Sequence, residues 1–335
     1  MCSSDLKPKR TIVFASWDAE EFTLTSSTEW GEQHQHDLAE HAVAYLNVDS
    51  SASGPSFTAS AVPSLNRLMA DAAEDVTDPA TGQSIAAATR AAGPREASAL
   101  PTASGPGLVS NRLGSGSDYT VFLNFIGVPV ADMSFTGPYG VYHSAYDDHL
   151  WVSKFGDPGF RYHAAMTRLW GLLALRLANA DIVPLDYTPY ANRIREFLDE
   201  VGKRSRLTRA GGRDVLAPAH AAADRFVAAS ARMNRRVDSA LVRASADRAV
   251  AEPISRALMQ AERALTDPAG IPGRPWYRHL IYAPKATYAP EVLPGVAEAI
   301  EAGDRARLTA QTARLTAALN RAAAVLNMAY REPRE

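Results

Sequence analysis

The chain has 335 residues, 46% hydrophobic and 21% charged, with a formal net charge of −2. It is long enough for two domains, and its near-neutral balance gives no electrostatic basis for binding nucleic acid or an anionic membrane. A single cysteine, Cys2, excludes an intrachain disulfide and a cysteine-based zinc site, and no apolar run approaches the roughly 18 residues that a membrane-spanning helix needs.

Residues 1–6 have neither the basic start nor the apolar stretch of a signal peptide, and read as a non-native leader. The polypeptide is expected to continue upstream of them. A strand is predicted at 11–15, an apolar run without clean alternation that suits burial on both faces. It delivers three carboxylates, Asp18, Glu20 and Glu21, to a turn. Serines and threonines then cap a helix predicted over 28–41, and a second strand over 42–49 ends in Asp49. Two strand–carboxylate units joined by a helix are the grammar of a mostly parallel sheet. A strand at 56–61 leads through Pro63 into a helix at 64–73. Residues 78–107, rich in Ala, Gly, Pro, Ser and Thr, read as a long surface loop. After Leu113-Gly-Ser-Gly-Ser-Asp118 come a helix at 119–125, a strand at 128–135 and a Gly/Pro/Tyr loop presenting His143. The apolar spacing of 158–180 is helical. Beyond residue 185 the chain is Ala/Arg/Leu-rich, with helices predicted at 187–204, 216–247, 253–265 and 296–329 and a Pro-rich excursion over 267–295.

Glu20, Glu21, Asp49 and His143 all follow strands, which is how open α/β sheets assemble a site. Carboxylates with an imidazole are a ligand set suited to zinc, and one Glu of an adjacent pair can bind metal while the other serves as general base. The same residues also fit a plainer reading, in which the glutamates open a helix, Asp49 is an N-cap and His143 a loop residue. His34, His36, Asp37 and His41 read as a solvated helix face, and Asp147 and Asp148 as helix caps in preference to groups that orient His143. Ser115 and Ser117 lack the flanking pattern of a serine nucleophile, so the Gly-Ser-Gly turn is read as a backbone contact to substrate.

Trp17-Asp-Ala-Glu-Glu-Phe22, Ser27-Thr-Glu-Trp30, Asn47-Val-Asp-Ser-Ser51, Leu113-Gly-Ser-Gly-Ser-Asp118 and Tyr142-His-Ser-Ala-Tyr146 resemble, in order and spacing, the glutamate carboxypeptidase II (prostate-specific membrane antigen) family. The run from Asp267 to Pro284 resembles that family's C-terminal helical domain, related to the transferrin-receptor dimerisation domain. The resemblance implies a three-layer αβα, mostly parallel sheet of zinc-exopeptidase type over 7–185 and an all-α dimerisation domain over 186–335. It implies two zinc ions, with Glu20 as general base, Glu21 and His143 on one zinc, Asp49 on the other, and Tyr142 bonded to the tetrahedral intermediate. Glu29 and Glu32 match structural calcium ligands. Gly116, Ser117 and Tyr288 match substrate-binding positions. The implied substrate is a small peptide, the implied assembly a homodimer, and the implied parent is exported or membrane-anchored.

Three departures qualify this. The family's second zinc-binding His and its bridging Asp lie upstream of the Trp-Asp-Ala-Glu-Glu motif, so the polypeptide as it stands is expected to be inactive. Residues 131–139 lack the arginine patch of glutamate-preferring members, Ser117 replaces an Asn, and the substrate lysine position is Thr287, with Lys285 the nearest substitute. Acidic specificity is therefore not expected. The family's apical domain, which helps close its substrate cavity, is expected either to be absent or to lie outside this sequence. The alternatives are a non-catalytic receptor-like scaffold and a general dizinc aminopeptidase, the second disfavoured by the helical domain.

Overall fold

The computed structural model describes residues 7–93, 108–114, 116–205, 208, 214–243, 248–285 and 288–328. The leader, Ser115, Thr287 and the middle of the 78–107 segment lie outside them. Three strands form the main sheet, β1 (Tyr45–Asn47), β2 (Ser56–Ala61) and β3 (Val130–Thr136), in the order β1-β3-β2. β1 runs parallel to β3, pairing Asn47 with Asp132, and β2 runs antiparallel, pairing Ser60 with the same residue. Among the described residues the sheet is thus mixed, where the sequence suggested a mostly parallel one. Met133 and Phe135 of β3 are buried while Asp132 and Ser134 between them are half-buried, the period-two pattern that assigns a strand its faces.

The strand expected at 11–15 does not form. Among the described residues no strand lies beside this segment to take its hydrogen bonds, and Val13 and Phe14 stand 70% and 80% exposed. Apolar residues without a ladder partner are not enough to make a strand. The single helix expected at 28–41 is two, α1 (Thr25–Gln33) and α2 (Gln35–His41), broken at His34. At the break the His34 ring stacks on Trp30 and its Nδ1 lies 2.8 Å from the Trp30 carbonyl, which also accepts from His34 N at 3.0 Å. α3 (Asn66–Asp75) follows a 3₁₀ turn at Pro63–Leu65. The segment read as a loop contains α4 (Ile85–Ala92), capped by Ser84 Oγ accepting from Ala87 N at 3.0 Å. The helix expected at 119–125 is a fully buried π-helix, Val121–Ile126. After the short α5 (His149–Trp151), α6 (Arg161–Asn179) sets Tyr162 against Phe135 of β3, ring centroids 5.0 Å apart, and buries Leu169 and Leu173.

The second half holds α7 (Tyr187–Lys203), α8 (Ala217–Arg243), α9 (Arg248–Arg263), a hairpin of β4 (Tyr282–Pro284) and β5 (Pro290–Val292), α10 (Pro294–Glu301) and α11 (Arg305–Met328). α9 begins earlier than expected and carries Pro253 inside it. One expected C-terminal helix is two, parted where Gly303 takes φ +66° and Asp304 caps α11 by accepting from Arg307 N at 2.9 Å.

One continuous hydrophobic core runs through both halves. Polar links reinforce it. Arg263, at the end of α9, donates to the carbonyls of Ala39 at 3.1 Å, Leu38 at 3.3 Å and Ala42, thereby capping the C-terminus of α2. Asn124 of the π-helix donates to Tyr282 O at 2.9 Å and accepts from the backbone of Arg278 and His279. Fully buried His279 lies 3.0 Å from Glu262, which also accepts from Tyr190 at 2.6 Å.

Candidate metal centre

The turn after residue 15 is held from beneath by aromatic rings. Trp17 Nε1 donates to Tyr45 OH at 2.9 Å, Tyr45 stacks on Phe122 at 4.0 Å, and Trp30 closes the cluster 5.3 Å from Trp17. Above this base Ala19, Thr23 and Leu24 all take left-handed backbone conformations, as does His143 in the facing loop. Such conformations are costly for residues other than glycine and persist only where surrounding structure fixes them.

Two of the expected ligands meet directly. His143 Nε2 lies 2.9 Å from Glu21 Oε1, and both side chains are more than half exposed. Two ligands about 2.0–2.1 Å from one tetrahedral zinc stand roughly 3.3 Å apart, so this pair needs little adjustment to share an ion. A nitrogen and a carboxylate oxygen are also the right donor chemistry. Among the described residues no third His, Cys, Asp or Glu completes a metal-binding group. Asp49 lies just beyond the end of β1 and acts on the same region through its charge.

That charge is crowded. Burial, then Asp49, Glu21 and Asp118, push the Glu20 carboxyl up to about 7, with His143 pulling against them. Tyr142, stacked on His143 at 3.8 Å, is raised by burial and then by Asp49, Glu21 and Glu20. Beneath them burial raises Asp118, and Asp49 adds to it; one of its carboxylate oxygens is buried without a partner. Burial pushes Asp132 up to about 6, although Asn47 bonds it. Among the described residues no lysine or arginine is paired to these carboxylates, and such a surplus favours a cation.

Asn47, Asp118 and Asp132 were not singled out from the sequence. Asn47 Nδ2 donates to Asp132 Oδ1 at 2.8 Å and to Ser117 Oγ at 2.9 Å, tying the strand that leads to Asp49 to the Gly-Ser-Gly turn. β3 carries Ser134 and Thr136 as well as Asp132, so the strand's own residues gave no signal; the pairing with Asn47, two residues before the expected ligand, comes from the register.

Residues 2–154 match Peptidase family M28, and residues 214–327 match the Transferrin receptor-like dimerisation domain. The chain belongs to the M28 peptidases that carry this helical domain. It is 42% identical over 302 residues to the Probable glutamate carboxypeptidase LAMP1 of Arabidopsis thaliana, covering 88% of this chain and 41% of that protein. It is 32% identical over 305 residues to the Aminopeptidase NAALADL1 of Rattus norvegicus, covering 88% and 40%. It is 30% identical over 310 residues to the Inactive zinc metalloprotease C354.09c of Schizosaccharomyces pombe, covering 89% and 36%. The chain thus spans about two fifths of the length of the curated relatives it matches. The match to a protein named an aminopeptidase extends through the helical part, so that part does not count against an aminopeptidase, as the sequence reading had supposed.

The other M28 positions divide. Gly114 and Gly116 lie against Tyr288: a Cβ on Gly114 would stand 2.4 Å from Tyr288 O, and Gly116 has φ +108°. The turn and the exposed tyrosine are therefore neighbours. Lys285 is paired with Glu301 at 2.8 Å and with Glu291 at 3.1 Å. Glu32 accepts from Trp276 Nε1 while Glu29 is exposed. Asp148 caps α5 by accepting from Trp151 N at 2.8 Å, and Asp147 accepts from Tyr139 OH; neither orients His143. His41 bonds Asp37 at 3.0 Å on an exposed helix face, in keeping with the solvated-face reading.

Proposed function

We propose that this chain forms the general base and part of the metal site of a zinc-dependent exopeptidase, whose complete form removes C-terminal residues from small peptides. The observation that carries this is the 2.9 Å contact between Glu21 and His143, two side chains that belong to distant segments and share a donor set suited to zinc. Glu21 and His143 would hold one zinc and Asp49 a second. Bound zinc supplies a Lewis acid and an acidified water. Glu20, beside the ligand pair, accepts the proton of the attacking water and passes it to the leaving amine. Tyr142, fixed by its stack on His143, donates to the developing oxyanion. Gly116, Ser117 and Tyr288 line the substrate side, and Glu29 with Glu32 would hold calcium.

With three zinc donors among the described residues, of which one pair is in contact, the polypeptide alone is inactive; the complete protein carries a three-layer αβα sheet. The helical part from residue 186 onward joins two copies into a homodimer, in keeping with the dimerisation domain matched at 214–327.

The test is zinc content by elemental analysis after dialysis, in the chain and three variants. Glu21→Gln and His143→Ala should lose the metal, whereas Glu20→Gln keeps it. Loss of metal in Glu20→Gln, or its retention in His143→Ala, overturns the assignment of base and ligand. An Aminopeptidase NAALADL1-like preference for free N-termini is the second reading, favoured by that match over most of the chain. Hydrolysis of N-blocked against C-amidated peptides by the complete protein separates the two.

A further inference from the structure

A cleft of about 220 Å³ opens between α2, the π-helix, the end of α9 and the loop that follows it. Gln35, Phe125, Gln260, Arg263, Thr266 and Arg278 are among its lining residues. It lies in the seam between the two halves and holds none of the candidate metal-site residues.

Arg278 is its distinctive group. The guanidinium lies 3.7 Å over the Phe125 ring, which fixes its plane and leaves its edge for hydrogen bonding. The polar contact shown for that edge is Gln35 Oε1 at 3.5 Å, long for a hydrogen bond, and Arg278 Nε is buried with no partner. An unpaired buried donor on a cation is expensive. Among the described residues neither Arg278 nor Arg263 has a carboxylate within ion-pair distance. Arg263 spends its N–H groups on the carbonyls of Leu38, Ala39, Ala42 and Met259, so it lends the cleft charge more than bonds. Glu262 next to it offsets that charge only in part, being turned toward Tyr190 and His279. Gln260 likewise donates its amide to Ala39 O at 3.1 Å.

We infer that this cleft binds a small oxyanion, a carboxylate or a phosphate, with Arg278 as its principal partner. A planar guanidinium offers parallel donors to such a group through its Nη side, which Gln35 meets only at 3.5 Å. Chemistry at the metal centre plays no part in this site.

The test is isothermal calorimetry on the whole chain, titrated with inorganic phosphate and, separately, with acetate, at constant ionic strength set by chloride. Saturable binding of at least one of them is expected, and which one binds identifies the ligand class. Arg278→Gln should weaken it at least tenfold, and Arg278→Lys, which keeps the charge but not the fork, should weaken it less. Arg232→Gln, at an exposed arginine bonded to Asn327, should leave it unchanged. Thermal melting confirms that each variant folds. Absence of saturable binding by both anions, or binding that a folded Arg278→Gln retains in full, overturns the proposal.

Discussion

His143 Nε2 stands 2.9 Å from Glu21 Oε1, and each residue sits in a turn with left-handed backbone, at Ala19, Thr23 and Leu24 on one side and at His143 itself on the other. Two loops from separate parts of the chain are thus pre-shaped to bring a nitrogen and an oxygen ligand together.

Zinc binding should accordingly be weak but specific. The chain is expected to purify with at most one zinc, removable by a mild chelator without unfolding, because two donors in contact hold an ion far less firmly than a closed four-ligand site. Elemental analysis combined with circular dichroism checks this; two tightly held ions would show that further ligands exist.

Peptide hydrolysis by this polypeptide alone should be undetectable. Measured release of a C-terminal residue from a short peptide, abolished by Glu20→Gln, would show that three zinc donors suffice.

Stability should fall as pH rises through the acid range because of Asp132. Its folded carboxyl is raised to about 6 by burial, above the unfolded value of about 4. The native state therefore binds the extra proton between those values, and ionising it costs on the order of 2–3 kcal/mol across the window, at about 1.4 kcal/mol per pKa unit. The contribution is complete below pH 4 and lost above pH 6. Asp132→Asn should flatten this part of a denaturant-derived stability profile while keeping the bond from Asn47.

Arg263→Met should cost roughly 2–4 kcal/mol, since it strips donors from the carbonyls of Leu38, Ala39 and Ala42 at the end of α2. A drop in melting temperature with unchanged secondary structure is the expected reading; a drop below 0.5 kcal/mol would mean that water replaces the arginine at little cost.

The chain should be a homodimer. Leu241 on α8 and Met328 on α11 are 52% and 62% exposed, large apolar side chains on the helical part. Light scattering should give twice the chain mass, and a monomer at micromolar concentration would refute the assignment.

Period and punctuation in the sequence were enough to find β2, β3, α6 and α7, because each repeats apolar residues at its own spacing between clear stops. Of the candidate ligands, Glu21 and His143 meet in space although the strand expected before Glu21 does not form; the reading that brought them together was chemical, an acid and an imidazole suited to one cation. What escaped was decided by partners in space. Val13 and Phe14 look like strand residues yet, among the described residues, have no neighbouring strand, and the break between α1 and α2 at His34 leaves no mark in the apolar spacing. Asp132 became visible only once Asn47 was seen to bond it, since its strand neighbours reveal nothing of what lies across the sheet.

The grip of Arg263 on the end of α2 bears on whether the two halves are separable. A change in sequence character near residue 185 invites the idea of two exchangeable modules. Yet replacing the helical half would leave the carbonyls of Leu38, Ala39 and Ala42 without the Arg263 guanidinium and open the core the halves share. A substitution in α9 is thus felt by a helix more than two hundred residues upstream.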